Sequence, residues 1–168
     1  MNKPDGLRRL LLAAVPGLAD NPDRLSIFID KGRVGASAGS LSFEYRYQLN
    51  LVVQDYAGAD DALFVPVIAW IAEQQPELLQ RTDQEPFTYE CELLDSQARD
   101  VSIYIQLTEA VRVQPKPGGG FTSEHLAEPR REDMDSFPGV CCQPLWQLFL
   151  GDELVAQTSD PDFVPPAP

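Results

Sequence analysis

From Leu41 to Val53 the chain alternates almost without a break. Phe43, Tyr45, Tyr47, Leu49, Leu51 and Val53 fall on one side of an extended backbone, and Glu44, Arg46, Gln48 and Asn50 fall on the other. At roughly 3.3 Å per residue such a strand spans on the order of 40 Å, about twice the common length. A strand of this reach, apolar on one face and of mixed charge on the other, is scaffolding. It points toward assembly rather than catalysis.

The rest of the chain sets bounds on that reading. With 168 residues and 43% hydrophobic content there is material for one ordinary core, so a single domain with an appendage is expected. The net charge of −13, from 26 acidic and 13 basic side chains, repels phosphate backbones and argues against direct nucleic-acid binding. Cys91, Cys141 and Cys142 form no CxxC pair, and the chain has a single histidine, His125. No ligand set for a structural zinc follows, and the thiols read as reduced in a cytoplasmic product. Arg8 and Arg9 before residues 10–15 imitate a secretion signal, but Asp5, Pro16 and Asp20 break that pattern and leave an amphipathic helix. The apolar run 62–72 is too short for a membrane span, so no membrane partner is expected.

Along the chain, the patterning predicts a first helix over about residues 4–15 and a turn at Asn21-Pro22-Asp23. Leu25, Ile27 and Ile29 then alternate. Asp30-Lys31-Gly32 reads as a hairpin turn, with residues 33–37 returning. After the long strand, Asp60 and Asp61 suit a helix N-terminus, and no residue from 62 to 72 is charged. A helix apolar all round is buried on more than one side, so Val67 and Ile71 are candidates for contact with another subunit. Pro66 fits only an opening turn, which places the helix start near Leu63 or later. Two antiparallel strands follow, marked by Phe87, Tyr89, Cys91 and Leu93 and by Val101, Ile103, Ile105 and Leu107, with Val111 and Val113 as a short edge strand. The expected fold is α+β: a mainly antiparallel twisted sheet with one long strand, packed by two helices. Residues 1–113 form the domain, 114–140 a flexible linker, 141–157 a C-terminal hairpin and 158–168 a disordered Pro-rich tail. In the hairpin, Trp146 and Leu148 need a surface to lie on.

Searching for chemistry yields little. His125, flanked by Glu124 and Glu128, reads as a solvated linker residue, because no rigid element there holds a base to catalytic tolerance. Glu132, Asp133 and Asp135 lack the spacing and central glycine of a calcium loop. Asp55, Asp60 and Asp61 are explained by a helix start, and Gly118-Gly119-Gly120 opens no helix and so makes no phosphate cradle. No serine sits in a nucleophile elbow. No catalytic, cofactor-binding or metal-binding residue is expected, and enzyme activity is disfavoured.

Several separated motifs carry a resemblance. Residues 21–33 (NPDRLSIFIDKGR), 41–51 (LSFEYRYQLNL) continuing to Asp55-Tyr-Ala-Gly58, 75–79 (QPELL) and 106–109 (QLTE) resemble the tail completion protein R family of temperate contractile-tailed phages and prophages, over about residues 4–113. The resemblance implies a structural virion protein at the head-proximal end of the tail, assembled in the host cytoplasm. Such a protein caps the last ring of tube or sheath and readies the tail for head joining. It also implies a homo-oligomeric ring, by analogy a hexamer, whose partners are tail tube or sheath protein and head–tail connector proteins. Glu44, Arg46, Gln48 and Asn50 are then expected to face the lumen or the adjoining subunit. Competing readings are a neck adaptor between head and tail and, from another class, an acidic DNA mimic that inhibits a DNA-processing protein.

Overall fold

The computed structural model describes residues 1–93, 98–128 and 147–157. Its element order begins with α1 (Lys3–Ala14), α2 (Pro16–Asp20) and a 3-10 turn at Pro22–Arg24, followed by β1 (Leu25–Ala36) and β2 (Phe43–Tyr56). Then come α3 (Asp61–Gln74), α4 (Glu77–Gln80), β3 (Thr88–Leu93), β4 (Arg99–Pro115), β5 (Phe121–His125), β6 (Gln147–Leu150) and β7 (Glu153–Gln157). The main sheet is antiparallel, in the order β1-β2-β4-β3, and β5 pairs with the far end of β4. The fold is α+β, as the alternation and helix patterns imply.

The long strand obeys its pattern. In β2, Tyr47, Leu49, Leu51 and Val53 are buried, whereas Glu44, Arg46, Gln48 and Asn50 turn to the opposite face. Across the sheet, Val101, Ile103, Ile105 and Leu107 of β4 join the same buried layer. Both helices cover it: α1 through Leu7 and Leu11, α3 through Leu63, Val67 and Ile71, all fully buried. Fully burying each of these side chains contributes about 1.5–3 kcal/mol, so the helix–sheet layer dominates the stability of the chain.

Four local expectations are corrected. Residues 30–32 form no hairpin turn. β1 runs straight through with a register shift between Asp30 and Arg33, where Lys31 takes φ 51, and the chain reverses only at residues 37–42. A bulge absorbs the extra residue and switches the parity of the strand, which the turn-like composition of Asp-Lys-Gly disguised. Next, α3 begins at Asp61, two residues ahead of the expected start, with Pro66 in its interior. There Pro66 forgoes one helix hydrogen bond, but burial of the ring against the core offsets the loss. Third, β4 is one continuous strand of 17 residues instead of two pieces. Fourth, residues 114–125 are not linker: β4 and β5 form a hairpin closed by Gly118, Gly119 and Gly120, all at positive φ, which glycine alone adopts without strain. The linker expectation for residues 129–140 and the tail expectation for 158–168 lie outside the described residues.

β6 and β7 pair around Gly151, and β7 packs against α1 and α2, so this hairpin rests on the body of its own chain.

Candidate functional site

Nothing in the sheet's outer face resembles a reaction centre, but its charge distribution is unusual for so acidic a chain. Glu44, Arg46 and Gln48 lie together on that face, as the alternation requires. Arg46 Nε donates to Glu44 Oε2 at 2.5 Å, and Gln106 Nε2 donates to Gln48 Oε1 at 3.3 Å. Beside them runs an open groove of about 480 Å³ in which Lys31, Arg33, Arg46 and Arg81 stand against one carboxylate, Glu77. The bulge in β1 places Lys31 and Arg33 there, and the segment after α3 brings Arg81.

The other residues singled out from the sequence are placed differently. Val67 and Ile71 are fully buried in the chain's own core. Only the opposite stripe of α3, with Val65 exposed and Phe64 and Ile68 half-buried, is open to a neighbour. Leu148 is half-buried in the hairpin, and Trp146 lies outside the described residues.

A buried polar cluster at the end of the helix layer escaped the sequence reading. Glu109 interrupts the inward stripe of β4 between Leu107 and Val111 and is only 4% exposed. Its carboxylate accepts from the Tyr47 hydroxyl at 2.5 Å and from the Asn2 backbone N–H at 2.8 Å, and His125 Nδ1 lies 3.0 Å away. Burial would raise the Glu109 carboxyl. The hydrogen bonds from Tyr47, Asn2 and the Lys3 backbone, with the charge of the N-terminal amine, outweigh it and hold the group below the usual carboxylate range. Burial, reinforced by the hydrogen bond to Glu109 and its charge, pushes the Tyr47 hydroxyl strongly up. His125 is therefore no loop residue: it sits on β5, stacked on the Tyr45 ring at 6.2 Å and tied to Glu109. The available signal was a carboxylate standing on an otherwise apolar stripe.

Adjacent to this cluster, Lys3 Nζ donates to Gln75 Oε1 at 2.6 Å, to the Thr108 carbonyl at 2.7 Å and to Glu128 Oε1 at 2.6 Å. Gln75 Oε1 in turn accepts the Thr108 backbone N–H at 3.1 Å. Thr108 lies on the flank of β4 between the stretches paired with β3 and with β5. Both of its backbone groups are thus taken by side chains where no strand covers them.

The two outer strands contrast with that seam. β1 and β3 each pair on one side only, and both expose large apolar side chains. Phe28 is 53% exposed and Val34 62% on β1, and Tyr89 is 56% and Leu93 76% on β3. The burial of β3 departs from its alternating sequence because the helix layer barely reaches it; within the strand, Phe64 of α3 meets the Tyr89 ring at 4.8 Å, and just ahead of the strand it meets Phe87 at 5.9 Å. Among the described residues there is no group of three or more metal-ligating side chains, and no helix is long and apolar enough to cross a membrane. What the geometry offers is surface: two open strand edges and a basic groove.

Comparison with known proteins bears on what those surfaces serve. No solved structure matches the chain. The chain is 38% identical over 161 residues to "Tail completion protein R" of Escherichia phage P2, covering 94% of this chain and 98% of that protein. The family described as P2 phage tail completion protein R (GpR) matches residues 1–129, which includes the β4–β5 hairpin and all three residues Lys3, Glu109 and His125. The chain belongs to the P2 phage tail completion protein R family.

Proposed function

We propose that this protein finishes the tail of a contractile-tailed phage or prophage particle by protein–protein contact alone, with no substrate transformed. Family membership supports the structural role in tail completion and a place in the virion tail. Beyond that, our reading is a ring, by analogy of six copies, that seats on the last ring of tube or sheath at the head-proximal end and presents its other side to the head–tail connector. The observation that carries it is a sheet whose two outer strands, β1 and β3, each pair on one side only and expose large apolar side chains in the protomer, which leaves both free for head-to-tail association. Glu44, Arg46 and Gln48, beside the basic groove, are the residues proposed to face the lumen or the adjoining tail component. The acidic balance of the chain suits DNA passage, because carboxylates do not grip phosphates.

The test is electron microscopy of particles made without this product and complemented with variants. Tails without it are expected to be overlong or uncapped. Arg46→Glu, on an exposed side chain, should leave the fold intact and fail to restore normal tails. Normal tails in the absence of the product would overturn the role, and normal tails with Arg46→Glu would overturn the surface. Native mass spectrometry separates a six-fold terminator ring from a twelve-fold neck adaptor.

A further inference from the structure

The two open edges of the sheet carry opposite charge. Residues 24–36 hold Arg24, Lys31 and Arg33 against Asp30, whereas residues 85–93 hold Glu85, Glu90 and Glu92 and no cation. The edges also stand at the same height. Phe28 pairs with Asn50, Asn50 with Tyr104 and Tyr104 with Thr88, so one line straight across the sheet joins β1 to β3. Along the path β1-β2-β4-β3 every neighbour is antiparallel, and β3 therefore runs opposite to β1. A copy placed alongside by rotation about an axis parallel to the strands meets β3 with its own β1, antiparallel and level.

We propose that β1 of one copy pairs with β3 of the next, so that the partner of each edge is a second copy of this chain and the sheet runs unbroken through the assembly. The pairing rests on the ring reading above and specifies its seam. The sides of the sheet match across it. On the helix side, Ile27 falls opposite Tyr89, Leu25 opposite Cys91 and Ile29 opposite Phe87; on the outer side, Glu90 falls opposite Ser26 and Glu92 opposite Arg24. Two-fold alternatives are penalised. β3 against β3 brings the glutamates of two copies together on one face, and β1 against β1 brings two positively charged segments together; like charges directly opposite on paired strands are destabilising. Only the head-to-tail arrangement joins unlike edges, and repeated rotation closes it.

Disulfide trapping in the full chain tests this. With Cys91, Cys141 and Cys142 changed to serine, Phe28→Cys and Thr88→Cys are introduced singly and together. Both side chains are exposed on the outer face. Within one protomer they are three strand spacings apart, roughly 14 Å, well beyond disulfide reach. Mixing the two single variants under mild oxidation should give a crosslinked dimer that neither gives alone, and the double variant should give a covalent ladder ending at the ring. Dimers of T88C alone or F28C alone, without the mixed product, would overturn the pairing in favour of a two-fold contact. A ring by native mass with no F28C–T88C product would overturn the seam while leaving the tail-end role standing. A monomer at every concentration, with no crosslink, would overturn seam and ring together.

Discussion

Two stretches along the β3 side of β4 meet the same problem in opposite ways. At Thr108, between β3 and β5, the exposed backbone N–H and C=O are taken by Gln75 and Lys3 from elements far away in sequence. At β3 itself the flank is left open, with Tyr89 and Leu93 turned to solvent. An unpaired strand flank is a template for another chain, and natural proteins close such flanks unless a partner is meant to occupy them. The contrast therefore separates two kinds of flank: the seam at Thr108 is sealed by the protomer, and the edge at β3 is left open, where the proposed assembly would continue.

Several variants would break or sharpen that contrast. The largest effect is expected from Glu109→Ala, which strips the acceptor from the Tyr47 hydroxyl and the Asn2 N–H inside the sealed region. The loss is about 2–4 kcal/mol, seen as a fall in Tm of several degrees in thermal unfolding. Gln75→Ala removes the acceptor shared by Thr108 and Lys3 and should cost about 1–3 kcal/mol by denaturant titration, with residues near Thr108 losing hydrogen-exchange protection. Acid acts on the same seal. Because Glu109 has its folded-state titration depressed, the stability it contributes is present above the ordinary glutamate value of 4.5 and is lost as the pH falls below it. Glu109→Gln should flatten that acid limb of the stability curve. The smallest effect on folding belongs to the open edge. Glu90→Lys with Glu92→Lys should change stability by no more than about 0.5 kcal/mol, yet abolish head-to-tail association in analytical ultracentrifugation. A double variant that unfolds the protomer, or one that assembles normally, would erase the distinction between sealed and open flanks.

How much of this was legible in the sequence depends on the range of the interaction. The long strand, α1, the apolar helix and the α+β class follow from period alone, because one buried face fixes where side chains point. The bulge in β1 was not legible: Asp30-Lys31-Gly32 is good turn chemistry, and only pairing with β2 decides that the strand continues. Val67 and Ile71 were assigned to a neighbour because α3 is apolar all round. The helix is in fact apolar because the sheet and α1 take one stripe and Phe87 and Tyr89 touch another through Phe64. His125 looked solvated because its partner lies on another strand and its anchor, Tyr45, 80 residues away by number. Lys3, Gln75 and Thr108 gave no local signal at all, since each is an ordinary surface residue type until the fold brings them together.

The irregularity at Lys31 has a further effect on the strand that contains it. With the extra residue present, Ile29 and Val34 share the helix side even though five positions separate them, and Arg33 is left facing the groove. Excising Gly32 would remove the surplus residue and restore strict two-residue periodicity, with Arg33 still opposite Arg46 and Val34 still opposite Tyr45, but with Lys31 now opposite Tyr47 on the helix side. A single missing glycine would thus withdraw Lys31 from the cationic trough and leave Arg33 in it, while composition, length and net charge stay almost untouched.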